Sequence, residues 1–393
     1  MVDNTKIFEK YELNNKISVP NRLVIPPLTL MLSNPDGTIN DFEKEYLKVR
    51  AKNIGMYILG AEAINQEGIA FLSQPRIYSE KDIPSNQERA KIIKEQGCLA
   101  INQIHHGGGL ANKEYSGFSP VAPSAEIANL ALKEKGMYKE ENKVREFTDE
   151  EIKKTIDDFA YATELSIKSG YDGVEIHGAN NYLIQQFYSP FTNRRTDDWG
   201  GSLEKRMSYP LKVVDACLKV REKFNRPDFI IGYRLSPEEP FEPGITMTET
   251  IALVKELVKR PIQYIHVSQK DYFRKTRRGE GEGIERLKVI HEITKDKVAL
   301  IGVGGLKTQQ NFTDAINSGF SEFIAAGIAN MINADLGTLL KEKKGNELKI
   351  ELDPEHPENF KMPQPMWQFI MANNTLDFLP PVKGKNIKVV FDF

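Results

Sequence analysis

Short, almost uninterrupted apolar runs recur along the chain, each followed by a polar turn and then an amphipathic stretch. The runs occupy residues 23–27, 56–61, 98–104, 173–177, 229–235, 264–267, 298–303 and 322–326. Their lack of polar alternation predicts strands covered on both faces, as in a parallel sheet. The stretches between them carry helical signals. Residues 149–169 open on Thr148-Asp-Glu-Glu, a capping sequence, and stop before Gly170. Within them Ile152, Ile156, Phe159, Ala160, Ala162, Leu165 and Ile167 fall near one helical face. Helices are predicted by the same reasoning over 203–224, 247–259 and 309–318, the last bracketed by Thr308 and Gly319.

Eight buried strands alternating with helices over about 300 residues predict an α/β fold, a (β/α)8 TIM barrel. A doubly wound open sheet is the alternative. It would place a glycine-rich turn after its first strand, where this chain reads Pro26-Pro27-Leu28-Thr29 with no glycine before Gly37. Two segments interrupt the pattern. Residues 106–147 make a long excursion after the third strand, at the end of a barrel where active sites lie, and are expected to act as a lid. Residues 346–393 follow the barrel, residues 1–345, as a C-terminal extension whose Trp367 and Phe369 are expected to pack on it.

Composition narrows the functional classes. The 393 residues are 40% hydrophobic and 27% charged with a net charge of −2. This balance predicts no nucleic-acid partner and no anionic membrane surface. No apolar run reaches the roughly 20 residues that span a bilayer. The first residues, MVDNTKIFEKYELNN, lack the apolar core of a signal peptide. A cytoplasmic protein acting on a small molecule is expected, with its oligomeric state open. The two cysteines, Cys98 and Cys217, lie far apart in apolar segments and read as buried residues.

In a barrel, polar residues at the C-terminal strand ends are the candidates for chemistry. Glycine-containing turns after strands seven and eight, Gly302-Val303-Gly304-Gly305 and Ala326-Gly327, suit a phosphate, because bare backbone N–H groups can close on an anion. Arg234 lies inside the apolar run FIIGYRLS, so it needs either a structural carboxylate or an electron-rich ligand. Gln103 offers both a donor and an acceptor, as the pyrimidine edge of a flavin requires. His177, Asn180 and Tyr182 follow the fourth strand. Two short donors can draw charge onto a carbonyl or nitro oxygen, and a phenol can give a proton to a carbanion-like carbon. Tyr272-Phe273, after the sixth strand, either shape the pocket or serve ordinary packing.

These residues sit in motifs that resemble the Old Yellow Enzyme family of FMN-dependent ene-reductases. The longest match is GVEIHGANNYLIQQFYSPFTNRRTDDWGGSLEKRMSYPLKVVDA at 173–216. NRLVIPPLTLM, AEAIN, NQIHHGG, GYRLSP and GVGG follow the family's order over about residues 7–340. The resemblance implies FMN held at the barrel mouth by Pro26, Pro27, Leu28 and Thr29, by Ala61 through its backbone, and by Gln103 and Arg234 at the pyrimidine ring. It implies phosphate binding by the N–H groups of Gly305, Gly327 and Ile328. His177 and Asn180 would hold the substrate's activating oxygen, Tyr182 would supply the proton, and Met31 would line the substrate site. NADH or NADPH would reduce the flavin, and an enone, enal, nitroalkene or quinone would then oxidise it. A flavin-binding sensor or scaffold without turnover is the rival reading. One departure stands out: Ile328 occupies the position after the eighth-strand glycine where relatives usually carry arginine, which predicts weaker FMN retention. The related dienoyl-CoA reductases carry an iron–sulfur cluster, for which two cysteines are too few.

Overall fold

The computed structural model describes residues 5–134, 140, 143–374, 376 and 379–386. Residues 135–139 and 141–142 of the excursion, and 375, 377–378 and 387–393 of the extension, lie outside the described residues. Eight parallel strands close into a barrel: β1 (Leu23–Ile25), β2 (Met56–Ala63), β3 (Leu99–His105), β4 (Gly173–Gly178), β5 (Ile230–Leu235), β6 (Tyr264–Val267), β7 (Ala299–Val303) and β8 (Phe323–Ala325). Closure is by β8 on β1, with Ile324 opposite Leu23 and Ala325 opposite Val24. Helices α1 (Asp41–Arg50), α2 (Ile83–Lys94), α3 (Asp149–Lys168), α4 (Leu203–Lys223), α5 (Met247–Leu257), α6 (Arg286–Thr294), α7 (Gln309–Ser318) and α8 (Leu336–Lys341) follow the strands in turn. The barrel expectation holds, and the open sheet is excluded by closure.

The strands alternate two kinds of burial. Val24, Met56, Ile58, Ile101, Ile230 and Ile301 share one apolar cluster, whereas Leu23, Ile25, Tyr57, Leu59 and Leu300 join a second that includes helix residues such as Phe159 and Leu165. Period two therefore sends the first set into the barrel and the second out to the helices. On β3 the inward phase runs Ile101, Gln103, His105. On β4 it runs Gly173, Glu175, His177, and on β5 it runs Ile230, Gly232, Arg234. The barrel interior is thus apolar at its base and polar toward the C-terminal mouth.

The base is plugged by an antiparallel hairpin that the apolar pattern does not announce, Tyr11–Glu12 with Ser18–Val19. Leu13 and Val19 are buried in the interior cluster, and the Tyr11 ring meets Phe323 edge-on at 5.1 Å. Burying these two aliphatic side chains contributes at most about 1.5–3 kcal/mol each.

Local signals place the helix ends. Thr148 Oγ accepts the Glu151 N–H at 3.3 Å and Glu151 Oε2 accepts the Thr148 N–H at 2.9 Å, a reciprocal cap that starts α3. The described part of the excursion after β3 is tied to the barrel: Val121–Ala122 pairs with Arg145–Glu146, and Gly109 N–H donates to Gln186 Oε1 at 2.9 Å. The C-terminal extension is fastened by Arg50. Its buried guanidinium donates to the carbonyls of Asn330, Met331, Phe360 and Lys361 at 2.9–3.2 Å. Met366 and Ile370 bury one face of the helix Gln364–Ala372, with Trp367 and Phe369 packed against the same core. No helix among the described residues is long and apolar enough to cross a membrane.

Candidate active site

The C-terminal ends of β3–β6 bring five of the sequence candidates to one end of the barrel. The β4 end turns sharply. Gly178 has no room for a side chain, since a Cβ there would sit 2.3 Å from the Tyr233 hydroxyl. Asn180 and Asn181 then both take left-handed conformations, φ 57° and 62°, which asparagine tolerates better than most residues. The turn delivers Tyr182 as the residue that precedes the helix Leu183–Tyr188. Its ring meets His177 at 5.2 Å and His105 at 4.5 Å, both edge-on, while Phe71 stands 6.0 Å away.

The hydrogen bonds fix which atoms face a ligand. Ala179 N–H donates to His177 Nδ1 at 3.3 Å, so the imidazole, kept neutral, carries its proton on Nε2. Burial, then the neighbouring His105, Arg234 and His266, hold the His177 pKa well below its ordinary value. Asn180 Oδ1 accepts Ser268 Oγ–H at 2.8 Å, leaving the amide hydrogens for a ligand. The Tyr182 hydroxyl has no hydrogen-bond partner among the described residues, and burial raises its pKa, so it stays protonated through the neutral range. Two neutral N–H donors and a neutral phenol therefore lie on the end of β4 and the turn that follows it. That set can hold an oxygen, load charge onto it and protonate a neighbouring atom.

Below them lies a network that the sequence reading missed. Glu175 is fully buried, accepts Gln103 Nε2–H at 2.7 Å and pairs with His266 Nδ1 at 2.9 Å. Burial alone would raise the Glu175 pKa, but His266, Arg234 and Gln103 outweigh it and the carboxyl is held below its usual range. At His266 burial outweighs the pull of Glu175, and its pKa is lowered. Gln103 therefore spends one amide hydrogen inside the protein and keeps its Oε1. Arg234 is only 8% exposed and makes no ion pair among the described residues, and its Nε is buried without a partner. Of the two partners the sequence allowed for Arg234, the structural carboxylate is absent at bonding distance. Glu175 acts on it only through space. The signal for Glu175 was present, a glutamate in the inward phase of an apolar strand.

The remaining candidates form two further groups. Leu28, Thr29, Met31 and Ala61 line one small cavity between the ends of β1 and β2. Pro26 and Pro27 are buried beside it, although β1 itself stops at Ile25 because proline has no N–H for the ladder. At the β7 and β8 ends the N–H groups of Gly305, Gly327 and Ile328 donate to no acceptor among the described residues. Gly304, φ 132°, packs so closely on the β6 turn that a Cβ would sit 2.6 Å from Asp271 N. An orphaned buried guanidinium together with three free backbone N–H groups fits the requirement of a flavin and its phosphate. Tyr272 takes no part: its hydroxyl bonds Ser321 Oγ at 2.8 Å and the Ala315 carbonyl at 3.2 Å, so it serves packing.

Residues 6–347 match the NADH:flavin oxidoreductase / NADH oxidase family. The probable NADH-dependent flavin oxidoreductase YqiG of Bacillus subtilis is 36% identical over 95% of this chain and 97% of that protein. The NADH:fumarate oxidoreductase of Klebsiella pneumoniae is 35% identical over 95% of this chain, which spans 40% of that larger protein. Among solved structures, morphinone reductase in complex with tetrahydroNAD superposes with a TM-score of 0.75 at 26% identity, covering 92% of this chain and 97% of that one. An Old Yellow Enzyme homologue from Zymomonas mobilis has the same fold, with a TM-score of 0.74 over 91% of this chain and 99% of that one at 24% identity. The chain therefore belongs to the NADH:flavin oxidoreductase / NADH oxidase family, the Old Yellow Enzymes, and is an FMN-dependent oxidoreductase that draws its electrons from NAD(P)H.

Proposed function

We propose that this oxidoreductase reduces activated carbon–carbon double bonds, in enones, enals and nitroalkenes, or quinones, with Tyr182 as the proton donor. The observation that carries the reading is the His177 ring, its Nδ1 occupied and its Nε2–H unengaged, edge-on at 5.2 Å to Tyr182, whose hydroxyl has no partner among the described residues, with Asn180 on the turn between them engaged only through its Oδ1 and backbone.

FMN, when bound, supplies two-electron transfer between the nicotinamide and an acceptor. Gln103 Oε1 and the Arg234 guanidinium hold its pyrimidine edge. Pro26, Pro27, Leu28, Thr29 and Ala61 bed the ring, and the N–H groups of Gly305, Gly327 and Ile328 take the phosphate. Arg234 also favours any negative charge that collects on the ring edge beside it. On the substrate side, His177 and Asn180 bind the activating oxygen and stabilise the enolate-like charge that develops there. Tyr182 then delivers its proton to the α-carbon. Phe71, on the loop after β2, packs 6.0 Å from the Tyr182 ring, and Met31, on the loop after β1, lines the neighbouring cavity with Thr29 and Ala61.

The test is a screen of oxidants against holoenzyme reduced anaerobically with NADH: 2-cyclohexenone, a nitroalkene, a benzoquinone and a simple alkene. The reading predicts fast reoxidation by the first three and none by the alkene. Reduction by NADH with no reoxidation by any of them would support the sensor or scaffold reading instead.

A further inference from the structure

The amide of Asn180 has a donor end and an acceptor end of nearly the same shape. A ligand therefore meets opposite polarity according to which way the group lies. Two hydroxyls meet its oxygen end. Ser268 Oγ–H donates to Asn180 Oδ1 at 2.8 Å, and Ser236 Oγ reaches the same oxygen at 3.5 Å. Ser236 is itself oriented, because its Oγ accepts the Asn180 backbone N–H at 2.9 Å and so turns its own proton toward Oδ1. Both serines lie one residue beyond the ends of neighbouring strands. Leu235 faces Val267 in the β5–β6 register, and Ser268 N–H continues the ladder to the Leu235 carbonyl at 2.8 Å. Asn180 has no such support of its own, since its left-handed backbone places it on a turn.

We propose that Ser268, assisted by Ser236, is a positioning residue that locks the Asn180 amide with its hydrogens toward the ligand. The consequence is a site that accepts only groups bearing hydrogen-bond acceptors, such as a carbonyl, carboxylate or nitro oxygen. The neighbouring rings are held in the same sense. His177 Nδ1 is occupied by the Ala179 N–H, which leaves the proton on Nε2, and His105 Nδ1 accepts Gln74 Nε2–H at 3.1 Å, which leaves its proton on a buried Nε2. Without the Ser268 proton the amide is free to turn its oxygen toward the ligand's oxygen, where attraction becomes repulsion. This inference rests on the proposed role of Asn180 as an oxygen-binding donor.

The experiment follows reoxidation of reduced holoenzyme by 2-cyclohexenone in stopped flow for Ser268→Ala, Ser268→Thr, Asn180→Ala and the Ser268→Ala/Asn180→Ala pair. FMN content and melting temperature are recorded for each. Ser268→Ala should lower the second-order rate constant roughly tenfold, short of the 10²–10³ typical of deleting an oxyanion donor outright. Ser268→Thr, which keeps the hydroxyl, should restore most of it. The pair should be no slower than Asn180→Ala alone, because two residues acting through one interaction are not additive. A Ser268→Ala rate equal to wild type, or losses that multiply in the pair, would overturn the positioning role while leaving that of Asn180 intact. An Asn180→Ala rate equal to wild type would overturn both. If Ser268→Ala does not fold, Ser268→Cys, close in size with a weak donor, must show the same loss.

Discussion

Glu175 on β4 accepts an amide hydrogen of Gln103 on β3 at 2.7 Å, and through that contact a buried anion stands beneath the mouth of the barrel. Its charge balances Arg234, on which Glu175 and the phenol of Tyr264 act among the described residues. Replacing the carboxylate by an apolar group would strand a buried cation and leave Gln103 and His266 without their partner. Glu175→Leu should cost on the order of 3 kcal/mol of unfolding free energy. Glu175→Gln, which keeps the shape and an acceptor, should cost less. Urea unfolding with saturating FMN measures both, and equal losses would contradict the electrostatic role.

Ile328 supplies a backbone N–H but no positive charge to the phosphate turn. Adding the cation should tighten FMN, so Ile328→Arg is expected to slow its dissociation at least several-fold at low salt and less at high salt. Flavin fluorescence on dilution reads the rate directly. Release as fast as from wild type, or faster, would show that the backbone cradle alone determines retention.

Burial raises the Glu62 carboxyl to about 8, against the opposing pull of Arg89 and with help from Glu43. The folded chain therefore keeps a proton there that the unfolded chain releases above about pH 4.3. The stability linked to this group is complete below that value and is lost as pH rises through about 8. Glu62→Gln lacks the titration, so its stability relative to wild type should climb across the window by on the order of a few kcal/mol and then level off. Thermal melts of the two proteins from pH 4.5 to 9 test this. A constant difference would mean that Arg89 keeps Glu62 ionised throughout.

Much of the barrel was legible because burial on both faces leaves a plain apolar run. The run at 264–267 and the helix at 309–318 coincide with β6 and α7. The run at 23–27 overshot at Pro26 and Pro27, where hydrophobicity continues but the hydrogen-bond ladder cannot. The basal hairpin escaped notice because strands of two residues carry no periodicity. Candidate residues at the site were legible where one strand sufficed, as with Arg234 and the His177–Tyr182 turn. Ser236, Ser268 and Gln74 were not, since each acts on a side chain from another strand. Their meaning lies in a register between neighbours that no single segment spells out.

The central claim concerns Tyr182, whose protonated hydroxyl has no hydrogen-bond partner among the described residues and whose ring stands beside His177. The most direct measurement separates the two half-reactions of Tyr182→Phe by anaerobic stopped flow. The account predicts flavin reduction by NADH within about twofold of wild type and reoxidation by 2-cyclohexenone slowed by roughly 10²–10⁴, the usual value of a positioned acid. Equal losses in both half-reactions would mean that Tyr182 only supports the site, and that the proton comes from elsewhere.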